Sequence, residues 1–367
     1  MPDATPARIG VLVDYLKDDR FDDNVLKTLK LVADDYRARG LLERPVEFVV
    51  RAVQGLPLGS FRAVRDAFEE LVDEDVLAIF GPWVSENAVA LRPYVEERAE
   101  VACITMAASE NALGDYFFAL PAGSLEEEPI IIAAIAAMDG AKSVGVAYEG
   151  SLIGQEYLRS ARRALAEAGL QITDEVLIPQ VHADKLTAMS RLAEGKPDAI
   201  VHVGFGLGIV GMNEALEELG WMPPRYTTTA FEFSATDQWW RKQLAGWTGL
   251  DQYDERNEVA IAFLDQFEER YGERPEYFFP LYCYDIGRMI LTAIADARPL
   301  TGRGVKEALE RVKMMPAASG APGTRMRFGK FIRHGWVGSE FLVARRVLPD
   351  GSRSVLHGTI NGLVESD

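Results

Sequence analysis

Residues 77–112 read LAIFGPWVSENAVALRPYVEERAEVACITMAASENA. A short apolar run, 77–80, enters a Gly-Pro turn and an amphipathic segment of helical length, 86–98, and a second apolar run follows at 101–105. A strand, a helix and a second strand in that order form a βαβ unit, whose crossover brings the chain back to lie parallel to its first strand. The tetrapeptide Ser-Glu-Asn-Ala closes each half, at 85–88 and again at 109–112. Both copies stand just past the carboxyl end of a predicted strand, the edge at which open α/β sheets bind ligands.

The alternation extends outward in both directions. Upstream lie strands at 8–14 (RIGVLVD) and 45–53 and helices at 24–39 and 61–72. The first helix places Val25, Leu29, Val32 and Tyr36 on one face and ends at Gly40. Downstream the pattern restarts: helix 126–138, strand 143–148, helix 155–168, strand 172–178, helix 185–194, strand 199–203, helix 208–219 and strand 226–229. Two β/α runs of similar size predict an α/β protein with two doubly wound parallel-sheet lobes. Long helices follow at 259–271 and 282–297. The β-like segments 326–331, 340–347 and 355–358 come last, the latter two joined by the hairpin signal Pro349-Asp350-Gly351.

Composition narrows the functional classes. At 367 residues and 48% apolar, the chain carries more core than one domain needs. A net charge of −17 repels a phosphate backbone and an anionic bilayer, so nucleic acid is excluded as a partner. The longest apolar run, 129–138, is far short of a membrane span, and no direct membrane insertion is expected. Cys103 lies in an apolar strand and Cys283 in an aromatic run; without close spacing they read as small buried hydrophobes. The opening MPDATP lacks a basic and an apolar export region. The location is therefore cytoplasmic if Met1 is the native start, and periplasmic or cell-surface if an export segment is missing.

Searches for catalytic motifs find no Walker loop, no His-Glu-x-x-His, no Cys-x-x-Cys and no Gly-x-Ser-x-Gly. His182, His202, His334 and His357 stand far apart without ligand spacing, so neither a metal nor a cofactor is expected. One motif does match. Gly206-Leu207-Gly208-Ile209-Val210-Gly211 fits Gly-x-Gly-x-x-Gly after a strand, with Glu232 beyond the next strand to hold ribose hydroxyls. That defines the alternative of an NAD(P)-dependent enzyme, although glycine-rich βα turns are common and this one lies within a run that already explains itself as a lobe.

The binding alternative rests on residues at strand ends. Ser85 and Ser109 offer hydroxyls and helix-start N–H groups to a carboxylate or an amide carbonyl; the competing reading is that both serines only cap helices. Tyr15, Trp83, Phe205 and Phe231 follow strands and would line a cleft around an apolar body.

The order and spacing of RIGVLVD, AIFGPWVSENA, ACITMAASENA, FFALPAGS, SVGVAYEGSLIGQEYLRSARRALAEAG, PDAIVHVGFG and AFLDQFEERYGERPEYFFPLYCYDIGRMILTAI resemble the type I periplasmic binding proteins. The likeness is to the leucine/isoleucine/valine-binding branch and its amide-sensing relatives. It implies two lobes joined by three crossovers near 118–123, 247–251 and 326–331: residues 1–120 with 250–327, and 121–249 with 328–367. It further implies a hinged, non-enzymatic receptor for a small molecule, serving an ABC transporter permease or acting as a ligand sensor. In such relatives a carboxylate is held at the positions of Ser85, and of Ala107 with Ser109. Ile153 and Phe205 replace tyrosines common in the family, and the ammonium-binding acid would fall near Ala230, with Glu232 the nearest carboxylate. The ligand implied is therefore a small carboxylate or amide with an apolar or aromatic body covered by Trp83, Phe205 and Phe231, with an amino acid as the other option.

Overall fold

A computed structural model of the chain describes residues 5–16, 23–178, 185–204, 206–228, 238–275 and 279–359. The first sheet contains β1 (Ala7–Val13), β2 (Val46–Ala52), β3 (Ala78–Phe80), β4 (Ala102–Thr105) and β5 (Phe117–Ala119), all parallel, in the order β2-β1-β3-β4-β5. Between them run α1 (Asp23–Ala38), α2 (Phe61–Asp73) and α3 (Ser85–Tyr94), the last continued by a π-helical turn, Val95–Ala99. After α4 (Glu127–Met138) a second sheet begins with β6 (Ser143–Glu149), β7 (Gln171–Ile178), β8 (Ala199–Val203), β9 (Arg225–Thr227) and β10 (Trp247–Asp251). These are also parallel, in the order β7-β6-β8-β9-β10. The helices of this run are α5 (Leu152–Glu167), α6 (Leu186–Glu194), α7 (Met212–Glu218) and α8 (Gln238–Gln243). The two strand orders are the same, so each lobe repeats one topology around a switch point between its first and third strands.

Strand alternation explains the layers. In β1, Ile9, Val11 and Val13 enter one buried cluster with α1, while Leu12 points to the other face and packs with Val64, Phe68 and Leu71 of α2. In the second lobe, Val144 and Val146 of β6 face α4 and α5, whereas Ala147 faces Met189 of α6 and Met212 of α7. Strands apolar on both faces belong to sheets covered on both sides, the arrangement that parallel βαβ crossovers produce.

The chain then returns to the first lobe through α9 (Glu258–Tyr271), α10 (Phe279–Asp296) and α11 (Gly302–Leu309). Tyr271 donates to the carbonyl of Lys27 in α1 at 2.8 Å, and the hydroxyls of Tyr36 and Thr292 lie 2.9 Å apart between α1 and α10. A small antiparallel sheet follows, β11 (Met315–Pro316), β12 (Arg325–Met326) and β13 (Trp336–Val337). The antiparallel strands β14 (Val343–Val347) and β15 (Ser354–Thr359) extend the second sheet beyond β10.

Several elements differ from the sequence expectation. Phe118 and Ala119, the first residues of the crossover expected near 118–123, pair with β4 as part of β5. The helix expected at 208–219 is split into a 3-10 turn, Leu207–Ile209, and α7, because Gly206 and Gly211 adopt φ of +104° and +79°, which no helix continues through. The third crossover does not lie at 326–331. Ala119 accepts from Gly335 and donates to Arg333, each at 2.8 Å, so the chain stays beside the first sheet through this stretch and joins the second only at β14. The limit drawn at residue 250 also moves, since β10 runs to Asp251 within the second sheet. Among the described residues no helix is long and apolar enough to cross a membrane, and no group of three or more His, Cys, Asp or Glu could hold a metal.

Candidate functional site

The carboxyl ends of β1, β3 and β4 converge, and polar side chains tie them together. Asp14, fully buried at the end of β1, accepts from the backbone N–H of Trp83 (2.6 Å) and Val84 (3.2 Å) and from the Nδ2 of Asn87 (2.7 Å). Burial pushes its pKa up to about 6, against these donors, which pull it down. Asn87 also exchanges bonds with the backbone of Leu56, its Oδ1 accepting from N–H at 3.1 Å and its Nδ2 donating to C=O at 3.2 Å. One carboxylate thus fixes the β3–α3 turn and, through Asn87, the loop after β2.

The two Ser-Glu-Asn-Ala copies meet at this edge. The Oγ of Ser85 accepts from Ala108 N–H at 3.1 Å and from Ser109 N–H at 3.4 Å. Ala107 N–H is taken by the Thr105 hydroxyl at 2.9 Å, and that hydroxyl in turn donates to the carbonyl of Pro82. These bonds correct the expectation of open backbone donors at Ala107 and Ser109, because the amides that would have held a carboxylate are spent on side chains of the same lobe. Nor do the serines cap helices: the residue before the first turn of α3 is Val84, and Ser109 opens only a 3-10 turn, Glu110–Ala112, without a side-chain capping bond.

Among the described residues, the donors left without a partner at this edge are neutral. The Ser109 Oγ and the Trp83 Nε1 are buried without a hydrogen-bond partner, and the Ser85 proton finds no acceptor among the described residues. The Trp83 ring is held edge-on to Phe279 with centroids 4.8 Å apart and tilted against Phe80 at 5.8 Å. An indole N–H can only donate, so a partner at this point must be an acceptor.

The second lobe repeats the device. Glu149, fully buried at the end of β6, accepts on one oxygen from Gly206 N–H (2.9 Å) and Gly208 N–H (2.8 Å). The same oxygen lies 3.5 Å from His202 Nε2, whose Nδ1 is 2.9 Å from the Thr227 hydroxyl. Burial lowers the pKa of Lys185 nearby, and Glu149 counters that shift. A Cβ on Gly208 would come within 2.9 Å of the Glu149 Cγ, so only glycine admits the carboxylate here. This overturns the dinucleotide alternative. The N–H groups that would cradle a pyrophosphate already hold an internal anion, which would repel a second one.

Of the residues expected at the site, Trp83, Ser85, Ala107 and Ser109 are brought together, with Tyr15 following on neighbouring β1. Ile153 is buried in the first turn of α5 on the opposite lobe. Phe205, Phe231 and Glu232 lie outside the described residues. Sequence reasoning missed Asp14, Thr105 and Glu149. A signal for two of them was present, since RIGVLVD and SVGVAYE are apolar strands that each end in an acid.

Two lobes of one topology each carry a buried acid that binds the turn after an adjacent strand. The sequence profile of the periplasmic binding protein family matches residues 8–339, and the chain belongs to that family. It is a family of binding proteins, not of enzymes. Solved structures agree in fold. A leucine-binding protein from Thermotoga maritima superposes with a TM-score of 0.80 at 19% identity, over 96% of this chain and 98% of that one. An ABC transporter substrate-binding protein from Desulfitobacterium hafniense in complex with Leu gives 0.77 at 16%, over 96% and 100%. A solute-binding protein of an ABC transporter from R. palustris in complex with benzoate gives 0.75 at 16%, over 97% and 96%. No curated protein matches the chain.

Proposed function

We propose that the protein captures a small neutral amide or related carbonyl compound with an apolar, preferably aromatic, body between its two lobes. In this reading residues up to 120 with the returning helices form one lobe, and the second sheet forms the other. The lobes close on the ligand and deliver it to an ABC-type uptake system. The observation that carries the ligand class is the donor set at the first-lobe edge. Among the described residues, the Ser85 and Ser109 hydroxyls and the Trp83 indole are neutral, the amides of Ala107, Ala108 and Ser109 beside them are occupied, and the acid Asp14 accepts from the Trp83 N–H. Carbonyl oxygens suit neutral donors, whereas a carboxylate would lose its hydration for uncharged partners beside like charge. The rings of Trp83 and Phe279 would cover the apolar end, a burial that contributes on the order of 2–3 kcal/mol.

A thermal-shift series with benzamide, benzoate, leucinamide and leucine tests this, since a ligand of the native state alone raises apparent stability. Benzamide is expected to stabilise most and leucine least. A large shift with leucine and none with either amide would refute the ligand class. The Leu and benzoate complexes of the two relatives named above mark the acid alternatives that the series contains.

A further inference from the structure

Residues 311–333 carry six basic residues and no acid, in a chain whose net charge is −17. Two of the six, Arg327 and Lys330, are exposed and form no ion pair among the described residues. Lys330 and Phe331 are the tip of a tight turn closed by two backbone bonds between Gly329 and Ile332, each 3.0 Å. Arg333 anchors the base of the turn, donating to the Gly114 carbonyl at 2.7 Å and to Asp115 at 2.8 Å. The turn therefore holds Phe331 out in water, 90% exposed, more than any other large apolar side chain among the described residues. The Lys330 ammonium stands 5.6 Å from the centroid of its ring.

A matching hollow lies elsewhere on the same lobe. Where α3 gives way to its π-helical turn, a cleft of about 340 Å³ opens beside α2, the lower end of ligand-pocket sizes and room for one ring. Phe68, Val72, Tyr94 and Ala99 line it with apolar surface, and Glu69 and Asp73 add carboxylates. Residues 66–75, the end of α2 and the turn after it, hold six acids and no base. Arg51 takes Glu70 and Arg65 takes Asp66, whereas Asp73 forms no ion pair among the described residues. The one cation of the lining, Arg98, is drawn over the Tyr94 ring, 5.7 Å from its centroid. We propose that Phe331 of one molecule seats in the α2–α3 cleft of a second copy of this chain, with Lys330 against Glu69 and Asp73, so that the protein self-associates head to tail. Tip and cleft do not meet within one molecule, so the contact is heterologous, and a pair still has one free tip and one free cleft from which a ring or chain extends. A ring already held rigid costs little ordering on burial, and the opposite charges around it orient the approach. One ring with its ion pairs is far smaller than a standard interface, which makes the association weak and reversible.

Sedimentation velocity of the full chain, run without ligand at low salt and rising protein concentration, reads the association directly. The weight-average coefficient is expected to climb with concentration, and to climb less as salt is added, because the charges around the ring are exposed and screened. Phe331→Ala and Asp73→Lys should each weaken the association roughly tenfold or more. Both side chains are exposed, so circular dichroism should show each variant folded. An equimolar mixture of the two variants should associate again, since the first keeps an intact cleft and the second an intact tip, and it should stop at pairs of one variant with the other. A wild-type chain that stays monomeric at every concentration, association untouched by Phe331→Ala or by Asp73→Lys, or a mixture no better than its parts would overturn the proposal. Phe331-dependent binding to phosphatidylglycerol vesicles by a chain that does not self-associate would overturn it too, and would assign the tip to a lipid surface. Because no ligand is added, the outcome is independent of whether amides bind.

Discussion

Two residues, Asp14 and Glu149, do the same work in the two lobes, and each takes the amides of the turn on the adjacent strand. For Asp14 the cost is visible in its titration. Its carboxyl is raised from 3.8 to about 6, so the native state holds the proton more tightly than the unfolded chain does. The sign follows from linkage: this group's contribution to stability is greatest below its unfolded pKa, declines as pH rises toward 6, and is flat above. Asp14→Asn should remove that decline from stability measured by urea titration between pH 4 and pH 7. At neutral pH the variant should lose about 1–3 kcal/mol, because one amide oxygen cannot serve Trp83 and Val84 as two carboxylate oxygens do and the amide's own donors face Asn87. A slope unchanged by the substitution would mean that another group titrates. Trp83→Phe tests the neighbouring donor: it keeps the ring against Phe279, so stability should hold while amide affinity falls about tenfold.

At the scale of elements, the glycine turn after β8 shows how a motif can be read correctly as geometry and wrongly as chemistry. Gly206 and Gly208 are needed for the close approach of an anion to backbone amides, but the anion is Glu149. Gly208→Ala should cost about 1–3 kcal/mol by overpacking. Combined with Glu149→Ala, which vacates the space, the two losses should sum to more than the measured double-mutant loss. Strict additivity in a denaturant-unfolding cycle would show that the two side chains do not meet. The strands and most helices were legible because period-two and period-3.6 patterns report burial, as in Val25, Leu29, Val32 and Tyr36 of α1. Helix α11, by contrast, was not found; its pattern is short, and Gly302 and Gly304 break it. The serine edge was legible from the repeated tetrapeptide, but which amides stay open was not, because that depends on Thr105 and Ser85 reaching across from other residues.

At the scale of the molecule, one topology is used twice, and the chain crosses between the two sheets. The stretch just before the third crossover is pinned to the first lobe by Arg333. Its guanidinium donates to Asp115 and Glu310 at 2.8 Å each and to the Gly114 carbonyl at 2.7 Å, over the ring of Phe118 at 4.4 Å. Arg333→Ala should cost about 2–3 kcal/mol, since Glu310 would be left largely buried without this partner, although Lys306 still pairs with it at 2.9 Å. Calorimetry should show this as a lower melting temperature of the first-lobe transition.

The central claim is that neutral donors at the first-lobe edge take a ligand carbonyl, and the indole proton of Trp83 reports on it most directly. In protein labelled with nitrogen-15 tryptophan, six indole resonances are expected, and the one missing from Trp83→Phe identifies Trp83. On titration with benzamide that resonance should move downfield and become protected from exchange, with the same resonance unmoved at equal concentrations of leucine. Saturable binding of leucine that shifts it, or no response to benzamide at any concentration reached, would contradict the account.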